Sequence, residues 1–252
     1  MSSQAAPRRA ERSSRSSHAG RTEKAHRYLA VLVSGLLGAG LLVLAIPRTV
    51  AAWASLAAEP AIEKIQLGKT VSEAELEVGT AGLQRALAWT SSARRLTDLA
   101  LLELVRAEGL GYLDHRRAKL LAEAEEHVTA GLMSNPANGF AWLRLAVIRE
   151  LRGAHGREVA SALAQSVDMA PNMRRLWIPR CGLILRYWGA FTEDELLSMR
   201  RQIRTIWSVP GERTALLAVA MSSGHDVMIG WALADDPEAF LEFMRIRRSS
   251  IR

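Results

Sequence analysis

From Tyr28 to Ile46 the chain reads YLAVLVSGLLGAGLLVLAI, nineteen residues without a charge. As a helix such a run is roughly 28 Å long, close to the ~30 Å hydrocarbon core of a bilayer. Lipid offers no hydrogen-bond partners, so a segment that crosses it must pair its own backbone, and a helix does so. Pro47 and Arg48 end the run, and Tyr28 and Trp53 flank it as amphipathic rings do at membrane interfaces. One transmembrane helix, Tyr28 to Ile46, embedded in a lipid bilayer is the first expectation.

The flanks give this helix a direction. Arg8, Arg9, Arg12, Arg15, Arg21, Lys24 and Arg27 precede the run, and only Arg48 follows it within fifteen residues. The positive-inside bias then puts the N-terminus in the cytoplasm and everything after Pro47 on the far side, which in a bacterial inner membrane is the periplasm. A cleaved signal peptide is the rival, with Ala52-Trp53-Ala54 as the small-residue site, but the run exceeds the about 7–15 apolar residues of such segments, which favours retention. Ser34/Gly38 and Gly35/Ala39 are small residues four apart, a spacing that lets two membrane helices approach, so a homo-oligomer joined through the span is an alternative expectation.

Charge separates the tail from the rest. Residues 1–27 carry seven Arg/Lys and two Glu, whereas residues 47–252 carry 26 Arg/Lys against 24 acids. The basic excess therefore sits beside the apolar run and not as a stripe on a folded domain, which argues against nucleic acid as a partner. The tail, rich in Ser and Arg without an apolar period, is expected to be disordered. One cysteine, Cys181, excludes an intrachain disulfide framework and any multi-cysteine metal site, and reads as a small buried apolar residue. Ala, Leu, Arg and Glu dominate while Tyr, Phe and Ile are scarce, so the expected class is all-α.

Along the chain, residues 47–70 read as a linker interrupted by Pro60 and Gly68, residues 71–210 as a helical domain and residues 211–252 as a helical cap. Ser72 is a candidate N-cap followed by Glu73, Glu75 and Glu77, where negative charge suits a helix start. Apolar residues recur at helical spacing over 93–108, 115–133, 158–169, 174–188, 193–206, 212–222 and 240–248, with a short apolar segment at 227–233. Asn135-Pro136 and Ala170-Pro171-Asn172 are similar turns, and Ala141-Trp142-Leu143 resembles Leu176-Trp177-Ile178. Pro136 to Pro171 and Trp142 to Trp177 are both 35 residues. Two markers at one period indicate stacked helical hairpins, because one hairpin cannot bury its apolar stripe alone.

Residues 95–210 resemble the tetratricopeptide repeat, a helical hairpin of about 34 residues. Ala124, Val128, Gly131 and Pro136 fall at that family's second-helix and closing positions, and Trp142, Leu145 and Ala146 at its first-helix positions, with Ala146 replacing the usual Gly. The resemblance implies a TPR-like α-hairpin array, an α-solenoid, behind the transmembrane helix; a plain helical bundle is the alternative. It also implies that first helices line a concave face. Counted from the two tryptophans, that face holds Phe140, Leu143 and Val147, then Arg175, Ile178 and Gly182. These residues are largely apolar, which suits a helix or strand of a partner better than a clamp for a carboxylate. Arg144, Arg175, Arg180 and Arg186 would give it a polar rim.

No residue set announces catalysis. Glu123 and His127 share a helix face four apart, but no second ligand pair accompanies them, so a surface ion pair is expected and no metal. His225-Asp226 has no nucleophile in a strand–turn–helix context, and there is no Gly-rich phosphate loop, HExxH or paired cysteine, so neither a catalytic residue nor a cofactor is assigned. The expected function is a non-catalytic, membrane-anchored scaffold whose outer domain binds another envelope protein or peptide, with polysaccharide export or assembly as the favoured setting by general likeness. A glycan-handling hydrolase built on Asp226, Asp235 and Asp236 is the reading from another class.

Overall fold

The computed structural model describes the backbone of residues 11–250 and the side chains of residues 31–248. Helix α1 (Glu11–Ser55) runs through Pro47 into a 3-10 turn at Leu56–Ala58 and on into α2 (Glu59–Gln66). Ser55 and Glu59 keep right-handed helical dihedrals, so Val31–Gln66 is one uninterrupted 36-residue helical stretch. Then follow α3 (Glu73–Trp89), α4 (Ala93–Glu108), α5 (His115–Ser134), α6 (Gly139–Leu151), α7 (Gly156–Met169) and α8 (Arg174–Arg186). A 3-10 turn at Trp188–Ala190 leads to α9 (Glu193–Trp207), α10 (Pro210–Ser222), α11 (Val227–Leu233) and α12 (Pro237–Ser250). No strand occurs among the described residues, and the protein is all-α.

Two boundaries differ from the sequence reading. Residues 11–27, expected to be disordered, belong to α1, while residues 1–10 of the expected tail lie outside the described ones. Residues 47–66, expected within a linker, are helical and packed. Pro60 does not break the chain, because it occupies the first turn of α2, where no intrahelical N–H is needed. Pro47 removes one N–H from the middle of α1. Just after it, the Arg48 guanidinium donates to the Leu44 carbonyl (2.8 Å) and the Thr49 hydroxyl to the Ala45 carbonyl (3.0 Å).

The segment Val31–Ile46 is exposed along its whole length, and the helix carrying it is long and apolar enough to cross a membrane. Beyond Pro47 the same helix enters the core. Ala51 and Ala58 are fully buried, and glycines on α3 make the approach possible. A β-carbon on Gly82 would lie 2.8 Å from the Ala54 carbonyl oxygen and 2.8 Å from the Ala57 methyl, and one on Gly79 would lie 3.3 Å from the Ala58 α-carbon. α1 and α3 therefore run antiparallel, backbone against backbone. At the far end of α3, Ser72 caps the helix as expected: Glu75 N–H donates to Ser72 Oγ (3.3 Å), and Ser72 N–H donates to Glu75 Oε2 (3.0 Å).

From α4 onward the helices form two layers. α4 packs along α5 and α6 along α7 as antiparallel hairpins, and even-numbered helices also touch their even neighbours (α2 with α4, α4 with α6, α6 with α8, α8 with α10). Odd-numbered helices do the same, α7 with α9 and α9 with α11. A continuous core of Leu, Ile, Val, Ala and Trp side chains runs from Ala100 to Phe243, and a separate, smaller cluster lies between the 3-10 turn at Leu56–Ala58, α2, α3 and α4. The alternation passes Pro210 without interruption, so α10 and α11 extend the array and only α12 closes it.

The 35-residue period has a physical counterpart. Trp142 donates its indole N–H to the Pro136 carbonyl (2.8 Å), and Trp177 donates to the Pro171 carbonyl (2.9 Å). Each pair ties an even helix to the turn before it. A buried node also locks the α6, α7 and α8 ends together. Ser166 donates to the Gly139 carbonyl (2.6 Å), and fully buried Arg180 donates to Ser166 Oγ (3.0 Å), the Ala170 carbonyl (2.9 Å) and the Ser166 carbonyl. The Ser166 and Ala170 carbonyls lie at the C-terminal end of α7, where the helix dipole favours a cation; each also accepts a backbone N–H, from Ala170 (3.3 Å) and Met173 (3.3 Å) respectively.

Candidate functional site: a groove on the even-helix face

The even-numbered helices line a groove of about 790 Å³, bordered by Glu63, Gln66 and Leu67 of α2 and its end, Arg94, Thr97, Asp98 and Leu101 of α4, Phe140 and Arg144 of α6, and Arg175 of α8. Asn135 and Asn138 of the α5–α6 turn complete it. Each wall is set by a local device. Ser92 caps α4 by accepting from Arg95 N–H (3.2 Å), and Asn138 caps α6 by accepting from Phe140 (3.1 Å) and Ala141 (3.2 Å) N–H.

The groove is amphipathic, with Leu67, Leu101 and the half-exposed Phe140 ring as its apolar part. Arg144 reaches across from α6 and donates to the Thr97 carbonyl. Burial draws its pKa down to about 10, so it stays protonated at neutral pH. Asp98 is the nearest counter-charge; burial raises its pKa, opposed by Arg144 and Arg94. Arg94 Nε lies 3.5 Å from Asp98, and its Nη2 lies 3.4 Å from Glu59. Three arginines against Glu63 and Asp98 leave an excess of one positive charge, and Arg175 has no ion-pair partner among the described residues.

Of the seven residues expected to bind a partner, Phe140, Arg144 and Arg175 come together here. The others are corrected. Leu143 is buried, and Val147 and Ile178 are half-buried against the core. α6 is flanked by α4, α5, α7 and α8 at once, which leaves only a narrow stripe of it free. Arg186 is tied to Glu150 of α6, and Arg180 lies in the core, so neither forms a rim. The walls supplied by α2 and α4 escaped the sequence reading. Their signal was the amphipathic spacing of Ala61, Ile62 and Ile65, obscured by Pro60.

Other candidates are accounted for by structural partners. His127 Nδ1 pairs with Glu103 Oε2 (2.8 Å) across the α4–α5 hairpin, while Glu123, its expected partner, lies 3.7 Å from Lys119. Asp226 binds Arg247, Asp235 lies 3.7 Å from Arg204, and Asp236 accepts from Ala239 N–H (3.1 Å) at the start of α12. The Cys181 thiol is fully buried, and burial pushes its pKa up to about 12. No protein-family model matches the chain, and no curated protein or solved structure matches it either.

Proposed function

We propose that this protein is a non-catalytic scaffold held in a bacterial inner membrane by α1, with its N-terminus cytoplasmic and its helical domain periplasmic, and that the even-helix groove receives an extended or helical segment of another envelope protein. The observation that carries this reading is the groove itself. It combines apolar patches with charged arginines, and it lies on the layer of an array whose geometry suits the laying-in of a peptide. Two alternating helix layers and the repeated Trp–Pro bond at a 35-residue interval support a TPR-like array.

Retention of the apolar segment is favoured by packing. Cleavage after Ala54 would strip Ala51, which is fully buried, and the Ala54 carbonyl from the face that Gly82 is shaped to meet. The basic flank and the exposed apolar surface of Val31–Ile46 support the topology.

The test is photo-crosslinking in intact cells from an unnatural residue at Phe140 or Arg175, with Tyr112, exposed at the opposite end of α4, as control. The same membrane or periplasmic protein should be captured at both groove positions and not at Tyr112, and Leu101→Glu should remove it. No adduct at either groove position, or an equal yield at Tyr112, refutes the reading.

A further inference from the structure

The packing of α3 on α1 carries information about height above the membrane. Gly82 meets Ala54, and α3 then runs back toward the apolar segment. Trp89 lies seven residues beyond Gly82, about 10 Å closer to that segment at the helical rise. This places it level with Pro47, where the uncharged run ends. Trp89 is 52% exposed, and its indole N–H has no hydrogen-bond partner among the described residues.

The next hairpin repeats the placement. α4 departs from the Trp89–Ser92 turn and α5 returns to it, since a β-carbon on Gly131 would lie 3.1 Å from the Ala93 carbonyl oxygen and 2.7 Å from the Thr97 methyl. Met133, 84% exposed, therefore sits at the same end of the array as Trp89. Arg48 and Arg85 are exposed near that level. The other end of α4 is a full helix away, about 24 Å for its 16 residues.

We propose that the Trp89 and Met133 end of the first hairpins is seated in the headgroup region of the bilayer that α1 crosses. The axes of α3 and α4 then stand along the membrane normal. The inference rests on α1 being a membrane span. The occupant is lipid, because an unbroken helix fixes the height of this edge at the end of the apolar run, leaving the indole at the interface. An indole prefers that depth, and Arg48 and Arg85 complement anionic headgroups there.

Full-length protein in liposomes of phosphatidylethanolamine and phosphatidylglycerol provides the test. Single cysteines at Gly40, Trp89, Met133 and Leu113, in a Cys181→Ser background, are labelled with an environment-sensitive nitrobenzoxadiazole. Ala88→Cys and Ala137→Cys, at exposed sites in the same turns, replace Trp89→Cys and Met133→Cys if either misfolds by circular dichroism. Labels at 89 and 133 should shift to shorter wavelength and lose most of their emission to headgroup-level spin-labelled lipid, whereas the label at 113 should do neither. If 89 and 133 behave like 113 while 40 is quenched by spin labels deep in the acyl chains, the seating is overturned and the anchor stands. If 40 is also unquenched, the anchor and the seating both fall.

Discussion

Replacing Gly82 with alanine tests whether the apolar helix and the folded domain form one rigid body. The added methyl carbon would lie 2.8 Å from the Ala54 oxygen and 2.8 Å from the Ala57 methyl, and both neighbours belong to backbone-adjacent atoms that cannot rotate away. Carbon contacts are comfortable at about 3.5–4.0 Å, so α1 and α3 must part by close to 1 Å. Overpacking of this kind costs about 1–3 kcal/mol, and exchanging a helical glycine for alanine returns about 0.5–1 kcal/mol. The expected net loss is about 1–2 kcal/mol. Urea unfolding of the full chain in detergent, followed by far-ultraviolet circular dichroism and tryptophan fluorescence, measures it. Gly211→Ala in α10, with open space around its β-carbon, is the control and should be neutral or slightly stabilising. If Gly82→Ala is as stable as Gly211→Ala, the contact is not tight and the apolar helix is not rigidly coupled to the domain.

Arg180→Met should destabilise by about 1–3 kcal/mol, because Ser166 Oγ and the Ser166 and Ala170 carbonyls lose the guanidinium and the two carbonyls keep only the Ala170 and Met173 N–H donors, and Arg180→Lys should recover little of it, since a compact ammonium lacks the planar fork that reaches all three acceptors; urea midpoints decide. The stability contributed by the Glu103–His127 pair should fall as pH rises above 6.5. The His127 pKa is raised above 6.5 mainly by its bond to Glu103, and the Glu103 pKa is raised above 4.5 mainly by burial, so both bind protons more tightly when folded. The His127 contribution is complete below pH 6.5 and is lost through its raised folded value. A Glu103→Gln, His127→Gln double variant should flatten the melting temperature over this range, and an unchanged slope would contradict the assignment. Cys181, its thiol shifted to about 12 by burial, should resist maleimide in the native protein at neutral pH and react once the chain is unfolded in urea; rapid native labelling would contradict its burial.

Much of the helical framework was legible locally. The helices α4 (Ala93–Glu108) and α11 (Val227–Leu233) begin and end where the apolar period and Gly109 or the charged flank place them, and Ser72 is the N-cap expected of it, with the return bond from Glu75 added by the structure. The Trp142/Trp177 and Pro136/Pro171 markers were visible as a period before their hydrogen bonds were known. Pro60 misled, because a proline interrupts a helix only beyond its first turn, and sequence alone did not show where that turn lay. The candidate site was half legible: Phe140, Arg144 and Arg175 were named, while Leu143, Val147, Ile178 and Arg186 were placed outside when packing and an ion pair claim them.

The chain by itself determined that it is helical, where one uncharged segment long enough for a bilayer lies, and at what interval its hairpins recur. These properties depend on residues within a few turns of one another, where side-chain periodicity and capping act. Only the tertiary structure decided which arginine is buried under three acceptors, that His127 answers to Glu103 and not Glu123, and that α2 and α4 supply the groove's other walls. Those choices pair residues distant in sequence, as Arg144 with Thr97, and nothing in local spacing selects one such partner over another until the helices are stacked.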